Sequence, residues 1–183
     1  MTSYLTSIIK QFEYYKSLGD KTFSQLSFSE IQWQSKKDEN SVAIIVKHLV
    51  GNMLSRWTNF LSEDGEKEWR NRDLEFIDNY NSKEEIIASW ESGWKCLFDA
   101  IKPLTETDLE QIIYIRNQGH TVTEAINRQL AHYSYHIGQI VFLGKLLKGE
   151  NWESLSIPKG DSLKYNEEKF SNEKGRRHFT DDL

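Results

Sequence analysis

Apolar residues recur at three- and four-residue steps in four stretches of the chain, which is the period of an amphipathic helix. The first stretch runs from about Ser3 to Leu26, where Tyr4, Ile8, Phe12, Tyr15, Leu18, Thr22 and Leu26 form a stripe. Gly19 falls inside it and is expected to weaken it locally. A polar loop over 27–39 follows, and Asn40 or Ser41 supplies the next N-cap. Val42, Ile45, Val46, Leu49, Met53, Trp57 and Phe60 make the second stripe. The third helix opens on Ser82-Lys83-Glu84-Glu85, which matches a capping box. Its face is Ile86, Trp90, Trp94, Leu97 and Ile101, and Pro103 ends it. The fourth opens on a second capping box, Thr121-Val122-Thr123-Glu124, and runs to about Lys148, with Gly149 as its C-cap. The β-branched character of 111–116 predicts a short strand, one of a pair, before a turn at Asn117-Gln118-Gly119.

Four amphipathic helices in one small chain predict an all-α protein built as a four-helix bundle. The connection over 62–81, between helices two and three, is long for a bundle and has no clear periodicity. It carries Trp69, Arg70, Asn71 and Arg72, a mixture unlike a flexible linker. The bundle is expected to occupy 1–160, followed by a polar tail over 161–183, packed on the bundle or partly disordered.

Composition narrows the class. At 183 residues, with 38% apolar and 13% aromatic positions, the chain suits one domain with a real core and not a disordered protein. A net charge of −5 disfavours nucleic acid as a partner. No apolar run approaches the roughly 20 residues of a membrane span, and the N-terminus lacks a basic region ahead of an apolar one. No membrane association and no signal peptide are therefore expected. Cys96 is the single cysteine, which excludes an intramolecular disulfide and suits a cytoplasmic protein. Ser89, Ser92, Gly93 and Ala100 surround it with small residues, so a structural thiol is expected.

The candidate chemistry lies in the histidines. His132 and His136 stand four residues apart in the fourth helix, on neighbouring turns with Cβ atoms about 5–6 Å apart. Two such rings can share one ion through metal–nitrogen bonds of about 2.0–2.1 Å. Ala125, Gln129, His132, His136, Ile140, Leu143 and Leu147 read as one inward face. A buried imidazole needs a partner at each ring nitrogen, and a metal meets one of those needs. His48 lies beside the second helix's stripe, and packing of helices two and four would bring three imidazoles together. Three nitrogen ligands without a fourth protein ligand describe an open site. A single histidine on an apolar face is more often a hydrogen-bonded core residue. His120 and His178 stand off the inward face and are left outside the site. His-Glu-x-x-His is absent, since 133 is Tyr, and so is Glu-x-x-His, since 129 is Gln and 45 is Ile.

The segments 45–57, 64–73, 128–139 and 155–160 resemble the DinB/YfiT-like superfamily of metalloenzymes, most closely one of its uncharacterised subfamilies. They carry His48-Leu49-Val50-Gly51-Asn52, Trp69-Arg70-Asn71-Arg72, Ala131-His132-Tyr133-Ser134-Tyr135-His136 and Ile157-Pro158-Lys159-Gly160. The resemblance implies a four-helix bundle with a histidine triad, His48, His132 and His136, holding a divalent metal ion in a homodimer. It carries no reaction. By analogy with thiol-dependent relatives, the expected function is a metal-dependent transferase or hydrolase acting on a small molecule. A low-molecular-weight thiol would serve as cofactor in an S-transferase, and zinc, nickel or iron as the metal. Arg56, Arg70 and Arg72 are candidates for binding a carboxylate of such a ligand, and Asn52 and Tyr133 for orienting it. Each arginine has the plainer alternative of an ion pair, and Asn52 and Tyr133 that of satisfying the interior. No catalytic residue is assigned. The alternative function is a non-enzymatic metal- or ligand-binding dimeric bundle, acting as a sensor or stress-related binding protein.

Overall fold

Three of the long helices begin where a side-chain hydroxyl accepts a backbone N–H. Ser41 accepts from Ile44, Ser82 from Glu85 and Thr121 from Glu124, at 3.2, 3.2 and 3.0 Å. The Thr121 box closes in both directions. At Ser82 only half of the expected box forms, because the Glu85 carboxylate accepts from the N–H of Asn81 instead.

These caps start the principal elements of the computed structural model, which describes residues 3–181. Met1 and Thr2, on which the signal-peptide expectation partly rests, lie outside the described residues, as do positions 182 and 183. The chain is mostly helical with one short antiparallel sheet. In order it forms α1 (Ser3–Gln25), α2 (Phe28–Ile31), α3 (Val42–Trp57), α4 (Lys83–Ile101), β1 (Ile112–Ile115), β2 (Gln118–Thr121), α5 (Val122–Lys148) and α6 (Ser162–Phe170). Helices one to four of the sequence reading correspond to α1, α3, α4 and α5. Among the described residues, no helix is long and apolar enough to cross a membrane.

The helix α3 packs on both α4 and α5, and α1 packs on α5. With neighbours on several sides, α3 is buried almost all round, as its run Val42–Val46 already suggests. The stripe of α4 is buried throughout: Ile86, Trp90, Trp94, Leu97 and Ile101. Of the expected first stripe, Ile8, Phe12, Thr22 and Leu26 are buried, and the buried face extends to one side of it. Leu5, Ile9 and Phe23 are buried, whereas Tyr4, Tyr15 and Leu18 pack only partly against the core. Gly19 lies on this face: a Cβ there would lie 2.5 Å from Cζ2 of Trp90, so the indole occupies the space a side chain would need.

The polar loop after α1 contains α2, capped by a reciprocal Ser27–Glu30 box. The hairpin pairs Ile112 with Thr121 and Ile115 with Gln118. Its turn falls one residue earlier than expected, on Arg116 and Asn117, which both have positive φ, 56° and 58°. Asp64 holds these residues by accepting both backbone N–H groups at 2.8 Å. Gly65 adds a bond from its N–H to the carbonyl of Tyr114 at 2.8 Å. The long connection is thus an ordered strap stitched to the hairpin, with a 3₁₀ turn at Asp73–Phe76 lying against α3.

The exposed α6 is followed by a return of the tail to α1. His178 Nε2 lies 3.2 Å from the Ser7 hydroxyl, Lys10 pairs with Asp181, and the rings of Phe179 and Tyr14 meet at 5.4 Å.

Candidate metal centre

The packing of α3 against α5 brings His48 to His132 and His136. Their ligand nitrogens all lie within 4.8 Å of one another. Nε2 of His132 stands 3.1 Å from Nε2 of His136 and 3.5 Å from Nε2 of His48. Four tetrahedral ligands at zinc–nitrogen distances would stand about 3.3 Å apart, so the spacing suits a shared ion.

The burial of α5 corrects the sequence reading of its inward face. Tyr133, Ile137, Ile140 and Gly144 form the buried stripe, while His132, His136, Leu143 and Leu147 are only half-buried beside it. The inward phase is set by Tyr133, whose ring packs against Phe12 and Trp94 at 6.0 Å each. The two histidines consequently sit at the margin of the core and not inside it. That placement gives three convergent rings a side open to solvent.

Each flanking ring is oriented from behind. His48 Nδ1 lies 2.9 Å from Oε2 of Glu75, and His136 Nδ1 lies 2.9 Å from Oε1 of Gln139. Both oxygens accept, so each Nδ1 donates and each neutral ring presents the lone pair of Nε2 towards the centre. Glu75 comes from the 3₁₀ turn and is buried. Arg70 donates to both of its oxygens, from Nε at 2.7 Å and from the terminal guanidinium at 3.1 Å. A Cβ at position 51 would fall 2.3 Å from Oε1 of Glu75, so Gly51, nearly a turn after His48, leaves room for that carboxylate. Phe76 stacks on the His48 ring at 5.5 Å.

The electrostatics favour the neutral form of His132 and His136. Burial pushes His132 down to about 4, with further lowering from His136, His48, Arg56 and Arg70. Burial also lowers His136, and His48 adds to this, while the Gln139 bond opposes it in part. Burial alone would raise Glu75, but the bonds from His48 and Arg70 outweigh it and hold the carboxyl below its usual range.

The other candidate residues are already engaged. Arg70 serves Glu75. Arg56 is buried, donating to the carbonyl of Gly65 and pairing with Glu66 at 3.2 Å. Tyr133 is fully buried, donates to Asn52 Oδ1 at 3.0 Å and accepts from Trp57 Nε1 at 3.0 Å. For Arg56, Arg70, Asn52 and Tyr133 the plainer reading therefore describes the contacts observed. Arg72 differs, since its exposed guanidinium lies over the Phe76 ring at 5.3 Å from the centroid. Cys96 is half-buried with its sulfur 3.6 Å from the Thr58 hydroxyl, away from the histidines.

Sequence reasoning missed Glu75, Gln139, Gly51 and Phe76. Gln139 carried a usable signal, since it lies one helical turn from His136. Glu75 carried none beyond its place in an unusually long, arginine-bearing connection.

One family model, described as a protein of unknown function (DUF1572), matches residues 1–161. No curated protein and no solved structure matches the chain.

Proposed function

The chain belongs to the DUF1572 family, and we propose that it is a metal-dependent enzyme whose open centre is held by His48, His132 and His136. We place it in a four-helix bundle of the DinB/YfiT type. One observation carries the reading. With both Nδ1 atoms committed to acceptors, three Nε2 atoms face one another and only His132 has a proton to place between them. That proton can satisfy one of the contacts at 3.1 and 3.5 Å. The other ring's Nε2 lone pair is then left without a donor, and burial opposes a further proton on His132 or His136. A divalent cation removes the conflict, and the donor set of neutral imidazoles suits zinc, nickel or iron.

When bound, such an ion lowers the pKa of a coordinated thiol or water and stabilises developing negative charge. The chain's own residues then fix the arrangement. Glu75 and Gln139 hold two rings in one tautomer, and Phe76 covers the His48 face. Arg72, its guanidinium free of carboxylate partners among the described residues, is positioned to meet an anionic group on a small-molecule ligand. A low-molecular-weight thiol with a carboxylate fits these requirements, which supports S-transfer as the reaction class. The reading includes a homodimer, for which Tyr135, Phe142 and Leu146 offer an exposed apolar face along α5.

A second reading, a metal- or ligand-binding bundle without turnover, draws on the commitment of Arg56, Arg70, Asn52 and Tyr133 to internal bonds, which leaves few groups for acid–base work. The two are separated by screening thiols against small electrophiles with the zinc-loaded protein. Turnover that disappears in His132→Ala supports the enzyme. Turnover that survives it removes the metal mechanism, and zinc binding without turnover across the screen favours the binding protein.

A further inference from the structure

The 62–81 strap reaches the centre through the Phe76 ring and one carboxylate, Glu75, and that carboxylate is unusually well provided for. Glu75 is buried, accepts from His48 Nδ1 at 2.9 Å, and takes two hydrogen bonds from Arg70. It also occupies the space above Gly51 on α3, where any Cβ would collide with it: 2.3 Å to Oε1 and 2.7 Å to the carboxyl carbon. His48 and Gly51 come from α3, and Arg70 from the strap itself. A buried carboxylate is costly unless paired, and the ordinary pairing here would be Arg70 alone. The second contact, to an imidazole whose other nitrogen faces two more imidazoles, is what a simple structural ion pair does not require.

We infer that Glu75 is the positioning residue that sets the metal affinity of the three-histidine centre, acting through His48, with Arg70 holding its charge and orientation and Gly51 keeping its seat vacant. The inference rests on the metal centre proposed above. Its physical basis is that an anionic acceptor at Nδ1 raises the basicity of Nε2 and locks the ring in the tautomer and orientation that bind metal. Arg70 fixes both oxygens of Glu75, from Nε at 2.7 Å and from the terminal guanidinium at 3.1 Å, so the carboxylate is held against His48. Glu75 acts through His48 and takes part in no bond-making step.

The test is the zinc affinity of the full chain, measured by competition with a chromophoric chelator, for wild type, Glu75→Gln, Glu75→Ala, Gly51→Ala and the Glu75→Ala/Gly51→Ala double variant. Helix content by circular dichroism confirms folding in each. Glu75→Gln keeps the size and an acceptor oxygen but removes the charge, and it is expected to weaken zinc binding about 10- to 100-fold. Gly51→Ala, which retains Glu75 and improves helix propensity, is expected to weaken binding at least about tenfold by displacing the carboxylate. Added to Glu75→Ala, it should cause no further loss, because the space it invades is already empty. A purely structural Glu75 would give no such non-additivity in metal affinity. Losses below tenfold in both Glu75→Gln and Gly51→Ala, or losses that add in the double variant, overturn the role of Glu75 and leave the centre standing. A wild-type chain that binds no zinc overturns the centre and this inference together. Should either Glu75 variant fail to fold, the Gly51→Ala result alone decides: a loss below tenfold rejects the role.

Discussion

Nε2 of His132 lies 3.1 Å from Nε2 of His136, a separation at which two neutral acceptors repel unless a proton or a cation lies between them. The pair is joined at 3.5 Å by Nε2 of His48 from a different helix. Orientation from behind by Glu75 and Gln139 makes the convergence a directed one and not a chance crowding of rings.

Protonation of His132 and His136 opposes folding of the metal-free protein. The unfolded chain takes a proton on His132 at about 6.5, whereas the folded chain resists until about 4. Between those values the unfolded state binds more protons, so stability is full above pH 6.5 and is lost as pH falls towards 4. His136 shifts in the same direction. After metal removal, the melting temperature should fall between pH 7 and pH 5, and fall less in His132→Gln. A melting temperature that stays flat over that interval contradicts neutral, half-buried rings at His132 and His136.

Tyr133 supports the core and not the chemistry. Tyr133→Phe removes the hydroxyl shared by Trp57 and Asn52, and each partner left unpaired in the interior costs about 1–3 kcal/mol. Urea unfolding should register the loss, while zinc affinity stays within about twofold of wild type. A large drop in affinity with little change in stability would return Tyr133 to the site.

Gly19→Ala tests the close approach of α1 and α4. In an exposed helix this change stabilises by about 1 kcal/mol. Here the added carbon meets Trp90, whose indole N–H is fixed to Asp20 at 2.7 Å and whose ring packs against Phe23 and Trp94. Overpacking of a pinned ring costs about 1–3 kcal/mol, so the urea midpoint should drop. A rise would mean that Trp90 moves aside freely.

Asp64 substitutes for the glycine that a tight hairpin turn prefers. Arg116 and Asn117 adopt positive φ without being glycine, and Asp64 holds both N–H groups. Asp64→Ala should cost about 1–2 kcal/mol, with the faster amide exchange confined to the hairpin and the adjoining strap. Unchanged exchange at Arg116 and Asn117 would show that the turn holds itself.

What could be read from the sequence follows how local the cause is. Periodicity located the four long helices because each stripe is set within its own segment, and caps at Ser82, Thr121 and one of Asn40 or Ser41 marked three of their starts. The histidines could be read for the same reason: His132 and His136 are one turn apart, and His48 is an imidazole beside an aliphatic stripe. The phase of α5 could not. Tyr133 and Ile137 stand one residue from His132 and His136, and both sets repeat at helical spacing. The choice falls to Phe12 and Trp94, which come from other helices. Glu75 lay further out of reach, since no repeat ties a residue of an irregular strap to an imidazole 27 positions away. An ion pair is the plainer alternative for Arg56 and Arg70, but their partners, Glu66 and Glu75, could not be named for the same reason.

The central claim is that these three imidazoles hold one divalent ion. It is tested most directly by the metal content of the purified chain, with and without added zinc, measured beside His132→Ala. The account predicts about one ion per wild-type chain, in keeping with a single three-nitrogen site, and loss of that ion in the variant. A wild-type chain that carries no metal and takes up none, or a variant that retains it, would contradict the claim.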